Sequence, residues 1–139
     1  MSLSSISQAY NDLVLVIRAF RPATAGSRLS CQPKSASSFW VVAGVSVAGG
    51  AATDTYLDLS GPTETTATSG HAVLTIFDYA TTTGRALGQV NFGSSNNTSG
   101  QNRGFYGFYC TETAINSIKI DCTGGGNFSA GTYVLYGVK

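Results

Sequence analysis

The chain has 139 residues, of which only 8 are Lys or Arg and 7 Asp or Glu, a net charge of +1. Charged side chains make up 11% of it, against about 25% in ordinary soluble domains, while Gly, Ser and Thr are abundant. One domain fits that length; neutral hydroxyls cannot track nucleic acid or anionic lipid, 42% hydrophobic residues exclude disorder as the main state, and no apolar run spans a membrane.

In chain order, residues 1–10 read as a polar N-terminal arm carrying Leu3, Ile6 and Tyr10, and residues 11–139 as a single domain. The start has neither a basic stretch nor an apolar run, so no secretion signal is expected. Leu13–Phe20 is the strongest strand, apolar on both faces until Arg18, as befits a central strand. Pro22 and Gly26 end it, and Ser27–Gln32 follows as a short strand. Phe39–Val47 comes next, then the alternating Thr55–Leu59, the long His71–Tyr79, and Arg85–Phe92. In the long strand Val73 and Phe77 share a face, and Leu74 and Ile76 are split between faces. Gly93–Asn102 and Gly61–Gly70 read as the two longest polar loops, each a candidate functional tip. Gly104–Cys110, Ile115–Cys122 and Thr132–Val138 complete about nine short strands with turn chemistry between nearly every pair. The pattern predicts an all-β fold: a single antiparallel β-sandwich, jelly-roll-like, with little or no helix.

Three cysteines, Cys31, Cys110 and Cys122, have no C-x-x-C spacing. They read as small buried hydrophobes. Cys110 and Cys122 stand at the outer ends of a predicted hairpin, which leaves a bridge open but unforced.

Little in the chain points to catalysis. His71 is the single histidine, heading a strand at an exposed or edge position, with no nucleophile motif beside it. Asp54 and Asp58 lie four apart, on one face of a predicted strand, a spacing that a glycosidase pair can use but that two solvent-facing carboxylates also have. Neither a calcium loop, a zinc spacing nor a phosphate loop is present, so no metal, catalytic residue or cofactor is expected. Phe105–Tyr109 is the most suggestive cluster. Alternation puts Phe105 and Tyr109 on one side, Tyr106 and Phe108 on the other, so that both faces are aromatic and one is free for a subunit contact or for sugar stacking. Trp40, next to Phe39, and Phe128, flanked by glycines, read as packing residues.

The two ends carry a resemblance. Ile6–Ile17, a polar lead-in with Tyr10 and Asp12 before Leu-Val-Leu-Val, followed by Arg28-Leu29, resembles the opening of a β-sandwich module of tailed-bacteriophage virions, found in head-decoration, fibre and spike proteins. Ile115–Ile120 and Gly124–Lys139, with Asn127-Phe-Ser-Ala-Gly131 and the closing Leu135-Tyr-Gly-Val138, are similar to that family's final strand pair. Thr75–Ala80 resembles its middle strand. The second strand departs from the family pattern, reading Arg28-Leu-Ser-Cys-Gln-Pro33 where an Arg-Leu-Arg-Phe-Asn-Gly-Asp type is usual. The resemblance implies a jelly-roll-like virion module, often trimeric; the chain starts almost at the module, so no shaft is expected.

The expected function is therefore non-enzymatic: a virion structural protein, made in the host cytoplasm, that decorates the head as a homotrimer docked on the major capsid protein. Its expected contacts are Leu3, Ile6 and Tyr10 of the arm, with Tyr106 and Phe108 on the aromatic strand. The alternative is a tail fibre or spike module binding a cell-surface glycan through Asn96, Asn97 and Asn102, whose amides match sugar hydroxyls. An enzyme such as a depolymerase, built on Asp54 and Asp58, is the third reading. Neither nucleic acid nor membrane is an expected partner.

Overall fold

Alternation of core and surface residues from Leu13 to Ile17 generates a strand one in from the edge of the larger of two sheets. The computed structural model describes residues 1–27, 29–35, 38–39, 42–45, 51–54, 57–59, 70–84, 86–96, 100–110, 114–122 and 126–139. These form twelve β segments, numbered in chain order, in two antiparallel sheets, with no helix among the described residues. The larger sheet runs β12 (Phe128–Val138), β2 (Asp12–Pro22), β8 (Gly70–Phe77), β9 (Leu87–Asn96), β10 (Gly100–Tyr109), β5 (Val42–Val45), β6 (Ala51–Asp54). The smaller runs β1 (Ser2–Leu3), β11 (Ser117–Cys122), β3 (Leu29–Ser35), β4 (Ser38–Phe39), with β7 (Leu57–Asp58) also paired to β3.

The all-β expectation holds, as two sheets sharing one core. Leu13, Leu15 and Ile17 from β2, Ala72, Leu74 and Ile76 from β8, and Val90 from β9 face Leu29, Cys31, Leu57, Ile118 and Ile120 from the smaller sheet. Each is buried because successive strand side chains point to opposite faces, which also puts Leu74 and Ile76 on the same buried face rather than on two. A bulge interrupts β2 at Arg18 and Ala19, where Ala19 takes a left-handed φ of 51°. Phe20 thereby re-enters the core, and its ring covers Gly70.

Several boundaries differ from the sequence reading. Phe39–Val47 reads as one strand, yet its described residues are shared between sheets, while those of Thr55–Leu59 stay in the smaller sheet and Ala51–Asp54, read as no strand, joins the larger. β4 and β7 pair in the smaller sheet, β5 and β6 in the larger. An apolar run buried on either sheet looks the same in sequence, so the crossing leaves no mark. The predicted loop Gly93–Asn102 is largely strand: β9 and β10 continue to the pairs Arg103↔Gly93, Asn102↔Ser94 and Gly100↔Asn96. Polar residues there mimic a loop because ladder hydrogen bonds, rather than apolar side chains, hold the hairpin. Gly61–Ser69 and Trp40 lie outside the described residues.

The first ten residues are no free arm. β1 pairs with β11 through Ser2↔Lys119 and Leu3↔Ile118, and the Met1 nitrogen donates to the Ile120 carbonyl at 2.8 Å. Ile6 N–H donates to Asn116 O at 3.0 Å, and the buried Tyr79 hydroxyl donates to Ser7 O. Leu3 and Ile6 pack against the core.

A candidate interaction surface on the larger sheet

The two outer faces differ in chemistry. On the smaller sheet the outward residues of β11 are Ser117, Lys119 and Asp121, facing Gln32 and Ser30 across the ladder. Lys119 and Asp121 form an ion pair. The hydrogen bond from Lys119 holds the Asp121 carboxyl below the usual range, with help from the Cys122 N–H at 3.0 Å. That face is polar, with Ser30 itself buried.

The outer face of the larger sheet carries an apolar stretch over β12, β2 and β8, continued by Leu87 and bordered by Thr75, Gln89 and Asn91. Cross-strand register sets its rows: Val134, Val16, Val73 and Asn91 in one; Tyr136, Val14, Thr75 and Gln89 in the next; Phe77 beside Leu87 in a third, with Val138 at its β12 end. Exposure is 58% at Leu87, 51% at Tyr136, 47% at Val134, 42% at Val138, 39% at Phe77 and 36% at Val73. Scaled by ordinary side-chain areas, these six leave on the order of 500 Å² of apolar surface in water, within the range of the largest patch on a typical monomer, which is often functional. Asp12, at the margin, is occupied locally: its Oδ1 accepts from Asp78 N–H at 3.1 Å and holds the turn after β8.

At the β12 edge the sandwich is open. An apolar cavity of about 160 Å³ lies between the sheets there, lined by Ile17, Phe20, Leu29, Ile120, Phe128 and Tyr133 among others. Phe128 packs against the core at this end, as its glycine-flanked position suggests. A wider groove of about 460 Å³ follows the N-terminal segment, bordered by Ser2–Ser7, Tyr10 and Gly137.

The residues expected to make contacts are scattered by this geometry. Leu3 and Ile6 are spent on the chain's own core. Tyr10 is 37% exposed and lies over Gly137. Phe108 is in the core at 4% exposure, opposite Gly88, and is therefore corrected from an interface residue to a packing one. Its strand faces the smaller sheet on that side, while Tyr109, on the other side, stands opposite Leu87 on the outer face, so the outward side is that of Tyr109 and not that of Phe108. Tyr106 sits opposite Val90 in the ladder; its side chain lies outside the described residues, as do those of Asn96 and Asn102, while Asn97 lies outside them altogether. Asp54 belongs to β6 and Asp58 to β7, in different sheets, so they do not share a strand face. His71 is exposed, as expected, but on the central strand β8, with its ring over Gly93.

The cysteines are free and buried. Cys110 follows β10 in one sheet and Cys122 ends β11 in the other, so the two do not close a hairpin. Burial pushes the Cys110 thiol up to about 12. It pushes Cys122 up to about 11, with the Asp121 carboxylate adding to the effect, and raises Cys31 further still, with Cys110 as second cause. Among the described residues no cluster of His, Cys, Asp and Glu could hold a metal, and no helix is long and apolar enough to cross a membrane.

The surface missed by sequence reading is the one that stands out. Val73 and Phe77 were placed on one face, but the joining of that face to Val134, Tyr136 and Leu87 depends on strand order, which period-two patterns do not contain. Compared with family models, curated proteins and solved structures, the chain matches none.

Proposed function

We propose that this chain is a non-enzymatic structural protein of a tailed-phage virion, a head decoration protein that assembles as a trimer and docks on the major capsid protein. The observation that supports it best is the apolar stretch on the outer face of the larger sheet, centred on Val73, Phe77 and Leu87. A lone sandwich gains nothing from leaving that face in water while the opposite face is polar; an assembly that buries it gains roughly 25 cal/mol per Å². In this reading three outer faces meet around the three-fold axis, in place of the aromatic strand, and the N-terminal segment braces each protomer.

Two measurements test the reading. Quantitative mass spectrometry of purified particles should find copies comparable in number with the three-folds of the shell. A handful of copies would favour the tail fibre or spike alternative with its glycan receptor, and absence from the particle would end both. In solution, Phe77→Asp with Leu87→Asp should abolish the trimer by light scattering, because the two side chains face each other across β8 and β9. Both are exposed in the protomer, so it should stay folded, at a cost of about 1 kcal/mol for two carboxylates directly opposite in the ladder.

A further inference from the structure

Sheet edges are hazards that proteins blunt by keeping edge strands short or charged, because unpaired N–H and C=O groups recruit other strands. β1 follows that rule, with two residues. β12 does not: it has eleven residues, no proline and no charged side chain, and among the described residues it pairs on one side only, with β2. Its side chains remain exposed on both faces of the sheet. Tyr133, which shares the inner face with Ile17, is 40% exposed, and Val134 and Tyr136 on the outer face are 47% and 51% exposed.

We infer that the free edge of β12 pairs antiparallel with β12 of a second copy, about a two-fold axis at Leu135. The bulges between Phe128 and Thr132 confine regular pairing to Thr132–Val138. The centre of that stretch is Leu135, so full overlap of two copies sets Leu135 against Leu135, Val134 against Tyr136, Tyr133 against Gly137, and Thr132 against Val138. Every pairing is favourable. An aromatic next to a β-branched residue is among the better cross-strand neighbours. Gly137 already carries the Tyr10 ring of its own chain, so Tyr133 of one copy meets Tyr10 of the other. The interface is self-complementary, as a two-fold contact must be. It also draws the second copy over the open seam beside Tyr133, where the apolar cavity lies.

This contact goes beyond the proposed trimer and does not depend on it, since Phe77 and Leu87 lie three and four strands from the new partner's β12. The test is a register trap. V134C and Y136C proteins are purified separately, each with its three native thiols buried, then oxidised alone and mixed. Residues directly opposite in an antiparallel pair have Cα atoms about 4.5 to 5.5 Å apart, within disulfide reach. A covalent dimer in the mixture, with little in either protein alone, is the expected result. Equal cross-linking in all three samples, or none in any, overturns the proposal. Repeating the mixture in the Phe77→Asp, Leu87→Asp background separates the two readings: the cross-link should persist there even though the trimer is lost, and its loss would overturn the independence claimed for β12.

Discussion

Gly88 shows how tightly single positions are specified. It stands between Phe108 and Thr75, and a Cβ there would lie 2.6 Å from the Thr75 carbonyl oxygen and inside the Phe108 ring. Backbone on one side and a core aromatic on the other leave nowhere to yield. Gly88→Ala should therefore cost about 1–3 kcal/mol, the usual penalty of overpacking. Urea denaturation of the two proteins measures it. The thiols give a second residue-level outcome. Their ordinary value is 9.0, and burial raises all three. Above pH 9 the unfolded chain sheds protons that the folded chain keeps, so stability present below pH 9 is lost as pH rises through about 11 to 12. A thiol reagent at pH 8 should find no reactive cysteine until denaturant is added, and the urea midpoint of Cys110→Ala should fall less steeply in alkali than that of the parent.

Among the elements, β1 and the segment behind it carry the clearest departure from the sequence reading. A polar stretch with two isolated apolar residues looks like a loose arm. Nothing local reveals that Leu3 and Ile6 lie against Ile118 and the core, because their partners are more than a hundred residues away. If the segment is a brace, Ile6→Ser destabilises the isolated protein by about 1–2 kcal/mol; an arm reserved for a shell would leave melting unchanged. A shift of a few degrees in a thermal scan decides between them. By contrast β2, β8, β11 and β12 were legible within a few residues, since each has strong alternation or a dense β-branched run on a half-buried surface. Where glycines and hydroxyl residues fill a strand, as at the far end of the β9–β10 hairpin, composition points to a loop and the ladder overrules it.

For the whole molecule, composition was enough for the all-β class but not for the surface. Which strands neighbour one another decides which exposed side chains merge into a patch, and neighbours here are remote: β2 lies between β8 and β12, and β3 beside β11. The same remoteness orders the birth of the fold. β2 is the first long strand to be synthesised, but its edge partner β12 is the last, and β1 waits for β11. Loop closure on that scale is slow, and such topologies fold late. A chain halted before residue 128 holds β2 with one flank bare and its row of valines and leucines unmatched. Until the final strand emerges and zips along Asp12–Pro22, every nascent copy carries a sticky ribbon that chaperones, or other copies on the same message, are free to grasp.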